Sequence, residues 1–313
     1  GSCMELKDGW KYYLEEAMQE PEVVMQLEEL REKYRMISPE DIKVIDPCMG
    51  SGHILVYCFE VLMQIYTAQG YSQRDAVQAI LEHNLFGLDV DDRAAQLSYF
   101  AVMMKARQYD RRIFSRFVVP HIYGIDESND ISRNQLQYFG ASLSDYERSI
   151  AFNEIIRLLD ALVDAKEYGS ILHMEDYNWD LLYRFVENVD VEGQINLYSL
   201  DIDWTQNKLY TLVKIGHIMA QKYDIVVTNP PYLGSSRFSV KLDKYIKENY
   251  VNEKSDLSMV MYKRALTGLS RKNAYVAFIT TSSWMFLSSF EKMREFVQNT
   301  AAISSLIDFG TEL

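Results

Sequence analysis

Apolar positions along the chain recur in two rhythms. Short unbroken apolar runs read as buried strands: Ile42-Lys43-Val44-Ile45-Asp46, Asn84-Leu85-Phe86-Gly87-Leu88-Asp89, Phe117 to Ile125, Tyr223-Asp224-Ile225-Val226-Val227-Thr228, Ala274 to Thr280, and Ile303 to Phe309. Between them apolar residues return every third or fourth position. Ile54, Leu55, Cys58, Phe59 and Leu62 predict a helix from about Gly52, and others are expected over Ser72 to Glu82, Asp92 to Tyr109 and Gln206 to Gln221, with two more before Ala274 and one from about Ser288. Strands alternating with helices predict an α/β fold, a doubly wound and mostly parallel sheet covered on both faces. Two stretches depart from the rhythm. Glu5 to Arg35 is charged and helix-prone, with Leu14, Met18, Val24, Leu27 and Leu30 as apolar contacts, which gives a helical N-terminal segment over residues 1–40. Residues 41–313 form the core, within which about 128–204 reads as a helical insertion, with helical stretches at Tyr146 to Glu167 and Trp179 to Val189.

Composition narrows the class. Of 313 residues 48% are hydrophobic and 25% charged, as in an ordinary globular protein and unlike a disordered one. The 32 Lys and Arg stand against 45 Asp and Glu, a formal net charge of −13, which argues against gripping nucleic acid through bulk charge. Cys3, Cys48 and Cys58 form no even framework and no C-x-x-C pair, and the five histidines stand singly. A reduced compartment without a structural metal site is the simpler expectation. No apolar run reaches the ~20 residues of a membrane span. Gly1-Ser2 reads as a cloning scar with no signal peptide behind it.

The first candidate chemistry lies in Asp46-Pro47-Cys48-Met49-Gly50-Ser51-Gly52, between an expected strand and an expected helix. Glycines let the backbone turn tightly and approach a ligand, and a helix N-terminus offers free N–H groups. A plain strand-to-helix turn accounts for the glycines alone equally well. A nicotinamide site would place a third Gly where Leu55 stands and an acid about 20 residues on. Asp89 lies much further along, across an extra helix, which disfavours a dehydrogenase. A strand-end acid such as Asp89 can accept both hydroxyl hydrogens of a ribose diol. A helix cap or a solvated carboxylate is the plainer role, open to Asp91 and Asp92 as well.

Asn229-Pro230-Pro231-Tyr232 is the sharper motif. Two prolines stop the preceding strand and stiffen the backbone. They hold the Asn229 side-chain carbonyl and the Pro230 carbonyl in place, with the flat Tyr232 ring beside them. Two acceptors and a stacking surface suit a planar exocyclic amine. Accepting its N–H hydrogens localises the nitrogen lone pair, which can then attack a methyl sulfonium in line by positioning and aligned dipoles alone.

The DPCMGSG loop followed by NPPY resembles the class I S-adenosylmethionine-dependent DNA methyltransferases that modify adenine N6. Asp46 to Leu55, then Gly87-Leu88-Asp89, Arg93-Ala94-Ala95-Gln96-Leu97 and Ser283-Trp284-Met285-Phe286-Leu287, resemble the PglX methyltransferases of BREX phage-defence systems and their type IIG restriction-modification relatives, from about Gly9 to Phe309. The resemblance implies a Rossmann-like methyltransferase fold, S-adenosyl-L-methionine as cofactor, double-stranded DNA with a flipped adenine as substrate, defence-system partner proteins and a bacterial cytoplasm. It implies that Asp46, Gly50 and Gly52 hold the methionine part of the cofactor, that Asp89 meets the ribose hydroxyls, and that Asn229, Pro230 and Tyr232 are catalytic. The cofactor adenine falls to Asp126 or to the Gly169-Ser170-Ile171-Leu172 segment. Asparagine at the head of the tetrad favours adenine, where a serine is more usual for cytosine N4. The family loop more often reads Asp-Pro-Ala-Cys-Gly-Ser-Gly; here Cys48-Met49 fill the middle, and Cys48 reads as a small apolar filler without a basic partner.

The family also places a further cofactor-binding segment upstream and a target-recognition domain downstream. The chain accordingly reads as an excised domain, expected to bind cofactor weakly and to methylate no specific DNA site alone. Two other readings stay open: a methyltransferase acting on protein glutamine or RNA guanine, and a non-catalytic cofactor-binding scaffold module. Lys241, Lys244 and Lys247, interleaved with Asp243 and Glu248, read as a solvated helix, and Arg111, Arg112 and Arg116 as the densest basic cluster, a candidate for phosphate. Ligand-bearing loops after the first and fourth strands meet only if those strands are neighbours. That predicts the sheet order 3-2-1-4-5, extended by an incomplete final hairpin.

Overall fold

The computed structural model describes residues 6, 9–10, 13, 17–35, 37–190 and 201–310. Five strands, β1 (Val44–Asp46), β2 (Leu85–Asp89), β3 (His121–Gly124), β4 (Tyr223–Thr228) and β5 (Ser270–Phe278), form one sheet in the order β3-β2-β1-β4-β5. Every pairing is parallel, so the expected doubly wound architecture is present. The order reverses at β1, whose Val44 and Ile45 face Leu85 and Phe86 on one side and Ile225 and Val226 on the other.

Strand alternation sorts side chains to two faces. Val44, Leu85 and Ile122 pack on one face against α2 (His53–Ala68), α3 (Gln73–Ala79) and α4 (Asp92–Tyr109), through Leu55, Phe59, Val77 and Val102. Ile45, Phe86, Leu88 and Val226 turn to the other face. There they share one core with Ile155 and Leu158 of α5 (Asp145–Ala161), Leu182 and Phe185 of α6 (Trp179–Glu187), and Leu209 and Leu212 of α7 (Ile202–Ala220). Two of these helices, α5 and α6, lie in the expected insertion and supply part of the layer that covers this face. Ser144 and Glu147 cap α5 reciprocally, the side chain of each taking the other's backbone N–H.

Several boundaries differ from the sequence reading. Among the described residues the N-terminal helix α1 runs over Pro21–Tyr34, started by a proline that needs no donor, and residues 17–20 are not helical. Leu27 is buried as expected, whereas Met18 is fully exposed; Leu14 and Cys3 lie outside the described residues. Strand β3 begins only after Pro120, which has no N–H for a ladder, and Phe117 before it is bare to solvent. The strand expected at Ile303 to Phe309 does not form. Residues 301–310 carry no regular structure, and Ile303, Leu306, Ile307 and Phe309 are exposed. Beyond β5 no described strand offers a partner, so the final hairpin is absent among the described residues. Ser304 instead meets the Ala17 backbone N–H, and the Gln19 side chain meets the Ile303 and Ser304 carbonyls. No described helix is long and apolar enough to cross a membrane.

Candidate active site

At the carboxyl end of β1 the chain turns through residues 47–52 into α2. Gly50 and Gly52 both adopt left-handed φ, +52° and +82°. At Gly52 a Cβ would also stand 2.5 Å from Ser98 Oγ and 2.9 Å from Ser98 Cα, so α4 excludes any larger residue. The Gly50 N–H donates to Asp89 Oδ2 at 2.8 Å, and the Asp91 N–H donates to Asp89 Oδ1 at 2.9 Å. The cap of α4 is Asp91, which accepts from the Arg93 N–H, and Asp92 pairs with Lys166. Asp89 is therefore no helix cap: its carboxylate tethers the glycine loop. Met49 explains its own departure from the family pattern. Its sulfur lies where a Cβ on Gly87 would be, 2.5 Å away, so a glycine in β2 makes room for it.

Asp46 is fully buried at the end of β1. Its Oδ1 accepts hydrogen bonds from Thr228 Oγ1 at 2.6 Å and from the Cys48 N–H at 3.1 Å, while Oδ2 has no partner among the described residues. Burial pushes this carboxyl up to about 7, helped by the charge of Asp89 and opposed by the two hydrogen bonds. Burial, with the Asp46 charge, also drives the Cys48 thiol far up, and pushes Cys58 to about 12. A thiol held protonated by burial is a poor nucleophile; Cys48 packs beside Ile171 and Leu242 as a filler.

Strand β4 ends on buried Thr228, and the next residue, Asn229, is exposed. Pro230 is buried, and among the described residues no donor takes its carbonyl oxygen. Tyr232, 46% exposed, donates its hydroxyl to Asn229 Oδ1 at 2.5 Å, with the Ile279 carbonyl 3.2 Å away as a second acceptor. Burial raises the phenol above its ordinary value. A backbone bond from Leu257 to Leu233 and a bridge between Gly234 and Asp256 anchor the chain beyond the tetrad.

The structure brings Asp46, Gly50, Gly52, Asp89, Asn229, Pro230 and Tyr232 to the carboxyl ends of three adjacent strands, where doubly wound sheets hold ligands. Both candidates for the remaining contact lie at this end. Asp126 follows β3, and its Oδ1 accepts from Lys208 Nζ at 2.7 Å and from the Glu127 N–H at 2.9 Å. The Gly169–Leu172 segment lies against the glycine loop itself. Ser170 Oγ donates to the Pro47 carbonyl at 2.6 Å, and a Cβ on Gly169 would meet Val90 at 2.9 Å. Buried Arg264 donates to the Ser170 and Met219 carbonyls, and the Tyr250 hydroxyl to the Ile171 carbonyl, which fixes that segment.

Sequence reasoning passed over Thr228 and Arg264, and named Ser170 only within the Gly169–Leu172 segment. Thr228 leaves a trace, a polar end on an apolar strand; Arg264 and the Ser170 contact leave none, because their partners are remote carbonyls. The basic cluster is elsewhere. Arg116 turns inward onto Asp110 at 3.0 Å, and the cluster precedes β3, at the opposite end of the sheet from Asn229. Lys241, Lys244 and Lys247 pair with Asp164, Glu248 and Asp243 on α8 (Val240–Asn249) and its surroundings, as a solvated helix should. Trp284, beyond β5, donates to Thr280 Oγ1 at 3.1 Å. No cluster of metal-ligating side chains occurs among the described residues.

The Eco57I restriction-modification methylase model matches residues 83–313. The chain is 37% identical over 325 residues to the adenine-specific methyltransferase BrxX of Escherichia coli O9:H4 (strain HS), covering 97% of this chain and 26% of that protein. It is 37% identical over 288 residues to the adenine-specific methyltransferase PglX of Lacticaseibacillus casei (strain Zhang), covering 91% and 23%. The chain thus spans about a quarter of the length of these relatives, and the resemblance to PglX methyltransferases holds along nearly all of it. With a glycine loop and an NPPY turn joined at the switch point of the sheet, and a family match over residues 83–313, the chain belongs to the Eco57I restriction-modification methylase family.

Proposed function

We propose that this chain is the catalytic core that transfers a methyl group from S-adenosyl-L-methionine to adenine N6 in DNA. One observation carries the reading: the Thr228–Asp46 hydrogen bond sets the amine-acceptor turn directly beside the glycine loop. The residues fit the cofactor. Asp46 Oδ2, buried and without a partner among the described residues, is an acceptor for an ammonium group. Each Asp89 oxygen accepts one N–H and keeps a lone pair for a ribose hydroxyl. Gly50 and Gly52 let the backbone pass close to the ligand, and Asp126 or the Gly169–Leu172 segment meets its adenine. When bound, S-adenosylmethionine supplies an electrophilic methyl group.

The chain's own residues then handle the amine. Asn229 Oδ1 and the Pro230 carbonyl accept its two N–H hydrogens and aim the lone pair. Tyr232 releases Asn229 and stacks on the base, which must leave the duplex to enter. A carboxamide is not a base, so the proton lost after transfer passes to water.

Double-stranded DNA is the proposed substrate of the full-length protein, together with defence-system partners and a bacterial cytoplasm. The net charge of −13 argues against a strong bulk-charge grip on DNA by these 313 residues. The test is incubation of the full-length protein with labelled cofactor and separate pools of DNA, RNA and protein. Label in N6-methyladenine of DNA is the expected result. Label confined to RNA or protein would overturn the substrate assignment, and absence of cofactor binding would favour a scaffold.

A further inference from the structure

Thr228 has no place in the NPPY motif, yet it is the side chain that joins the two halves of the site. It is the last residue of β4 and fully buried. Valine would suit a buried strand equally well, and a buried hydroxyl costs stability unless it is hydrogen-bonded. Here it donates to Asp46 Oδ1 at 2.6 Å. The Thr228 carbonyl accepts from the Ile279 N–H at 3.2 Å, so this residue is held by β5's exit through its backbone and by β1 through its side chain. Asn229 is the next residue along.

We propose that Thr228 is a positioning residue that couples capture of the cofactor ammonium by Asp46 to placement of the Asn229 amine acceptor. The inference rests on the cofactor reading of Asp46 given above. A hydroxyl donor holds an ionised carboxylate more strongly than a neutral one. An ammonium at Asp46 Oδ2 keeps the carboxylate ionised, which strengthens the Thr228 bond at Oδ1 and steadies the strand end that carries Asn229. By linkage a correctly placed strand end favours the cofactor in return. The groups facing Asp46 are Asp89 at the end of β2, Cys48 in the loop and Cys58 on α2. Asp89 opposes ionisation of Asp46, so removing the Thr228 donor leaves only the Cys48 N–H to favour it.

The experiment uses full-length protein and S-adenosylhomocysteine, which carries the same ammonium group. Its Kd is measured by calorimetry from pH 6 to 9 for wild type, Thr228→Val and Thr228→Ser, with single-turnover methyl transfer to DNA alongside. For Thr228→Val, Kd at pH 7 should rise about tenfold and converge on wild type near pH 9, and the single-turnover rate constant at saturating cofactor should fall about tenfold. Thr228→Ser should restore both to within about threefold. If Thr228→Val fails to fold, Thr228→Ala answers the same question. A hydroxyl-free variant whose binding curve overlays wild type at every pH, or a serine variant that restores nothing, would overturn the coupling. Wild type that binds no S-adenosylhomocysteine would instead remove the cofactor reading itself.

Discussion

Two buried aspartates stand on neighbouring central strands of the sheet, at opposite ends. At the amino end Asp224 accepts two hydrogen bonds from Arg271, both at 2.9 Å, and a third from the Lys43 N–H at 2.9 Å. Around it Asn84 donates to the Pro39 and Ile42 carbonyls, and the Tyr223 hydroxyl to the Ile218 carbonyl. At the carboxyl end Asp46 is the more deeply buried, yet one of its oxygens has no partner among the described residues and its acid is pushed up to about 7. An aspartate fully engaged by the chain holds loops in place. One left with a free buried oxygen is costly by itself and becomes favourable when a donor arrives. The difference follows strand direction, since in a parallel sheet the loops at the carboxyl ends lead into helix N-termini and carry the ligand.

The largest expected effect lies at the carboxyl end. Asn229→Ala in the full-length protein should lower methyl transfer by about 10²–10³-fold with an unchanged thermal midpoint, because Asn229 is exposed. Undiminished adenine methylation would break the assignment of the acceptor. Asp224→Ala tests the amino end and should reverse the pattern: a stability loss of about 2 kcal/mol by urea titration, with methyl transfer intact below the unfolding transition. A catalytic defect beyond the loss of folded protein would erase the contrast between the ends.

Asp46→Asn sharpens it through pH. The folded-state pKa of Asp46, about 7, lies above the ordinary 3.8. Its contribution to stability is therefore fully present below about pH 4 and is lost as pH rises through 7. The cofactor-free asparagine variant lacks that loss, so its thermal midpoint should gain on wild type between pH 5 and 8, by roughly 3 °C or more. A gap independent of pH would mean that Asp46 ionises unhindered. The smallest effect belongs to Tyr232→Phe. It removes the hydroxyl that occupies Asn229 Oδ1 and keeps the ring, so KM for DNA should fall roughly threefold with kcat within twofold. A raised KM would show the hydroxyl helping the bound base rather than competing with it.

Periodicity and motif order were sufficient for the strand–helix alternation and the 3-2-1-4-5 order, and the motifs with their family resemblance for naming Asp46, Gly50, Gly52, Asp89 and Asn229 as candidates, which the fold gathers at one end of the sheet. These are local signals: alternation at two or 3.6 residues, proline stops, glycines at left-handed φ. The run from Ile303 to Phe309 carries the same apolar signal and forms no strand, because a strand needs a partner that no local pattern supplies. Asp126 and the Gly169–Leu172 segment are alternatives in the sequence, and only the fold shows Asp126 paired with Lys208 while Ser170, remote in sequence, sits on the glycine loop. Met49 looked like a deviation until Gly87 was seen beneath it.

What the sequence determined by itself is therefore the class of fold, the order of its strands and the chemical types at the site. Tertiary structure alone decided which oxygen of Asp46 is left free, that Asp89 tethers Gly50, and that Thr228 joins β4 to β1. The physical reason is common to all three. A hydrogen bond between residues far apart in the chain depends on strand register and depth of burial, and both are set only when the sheet closes on its helices.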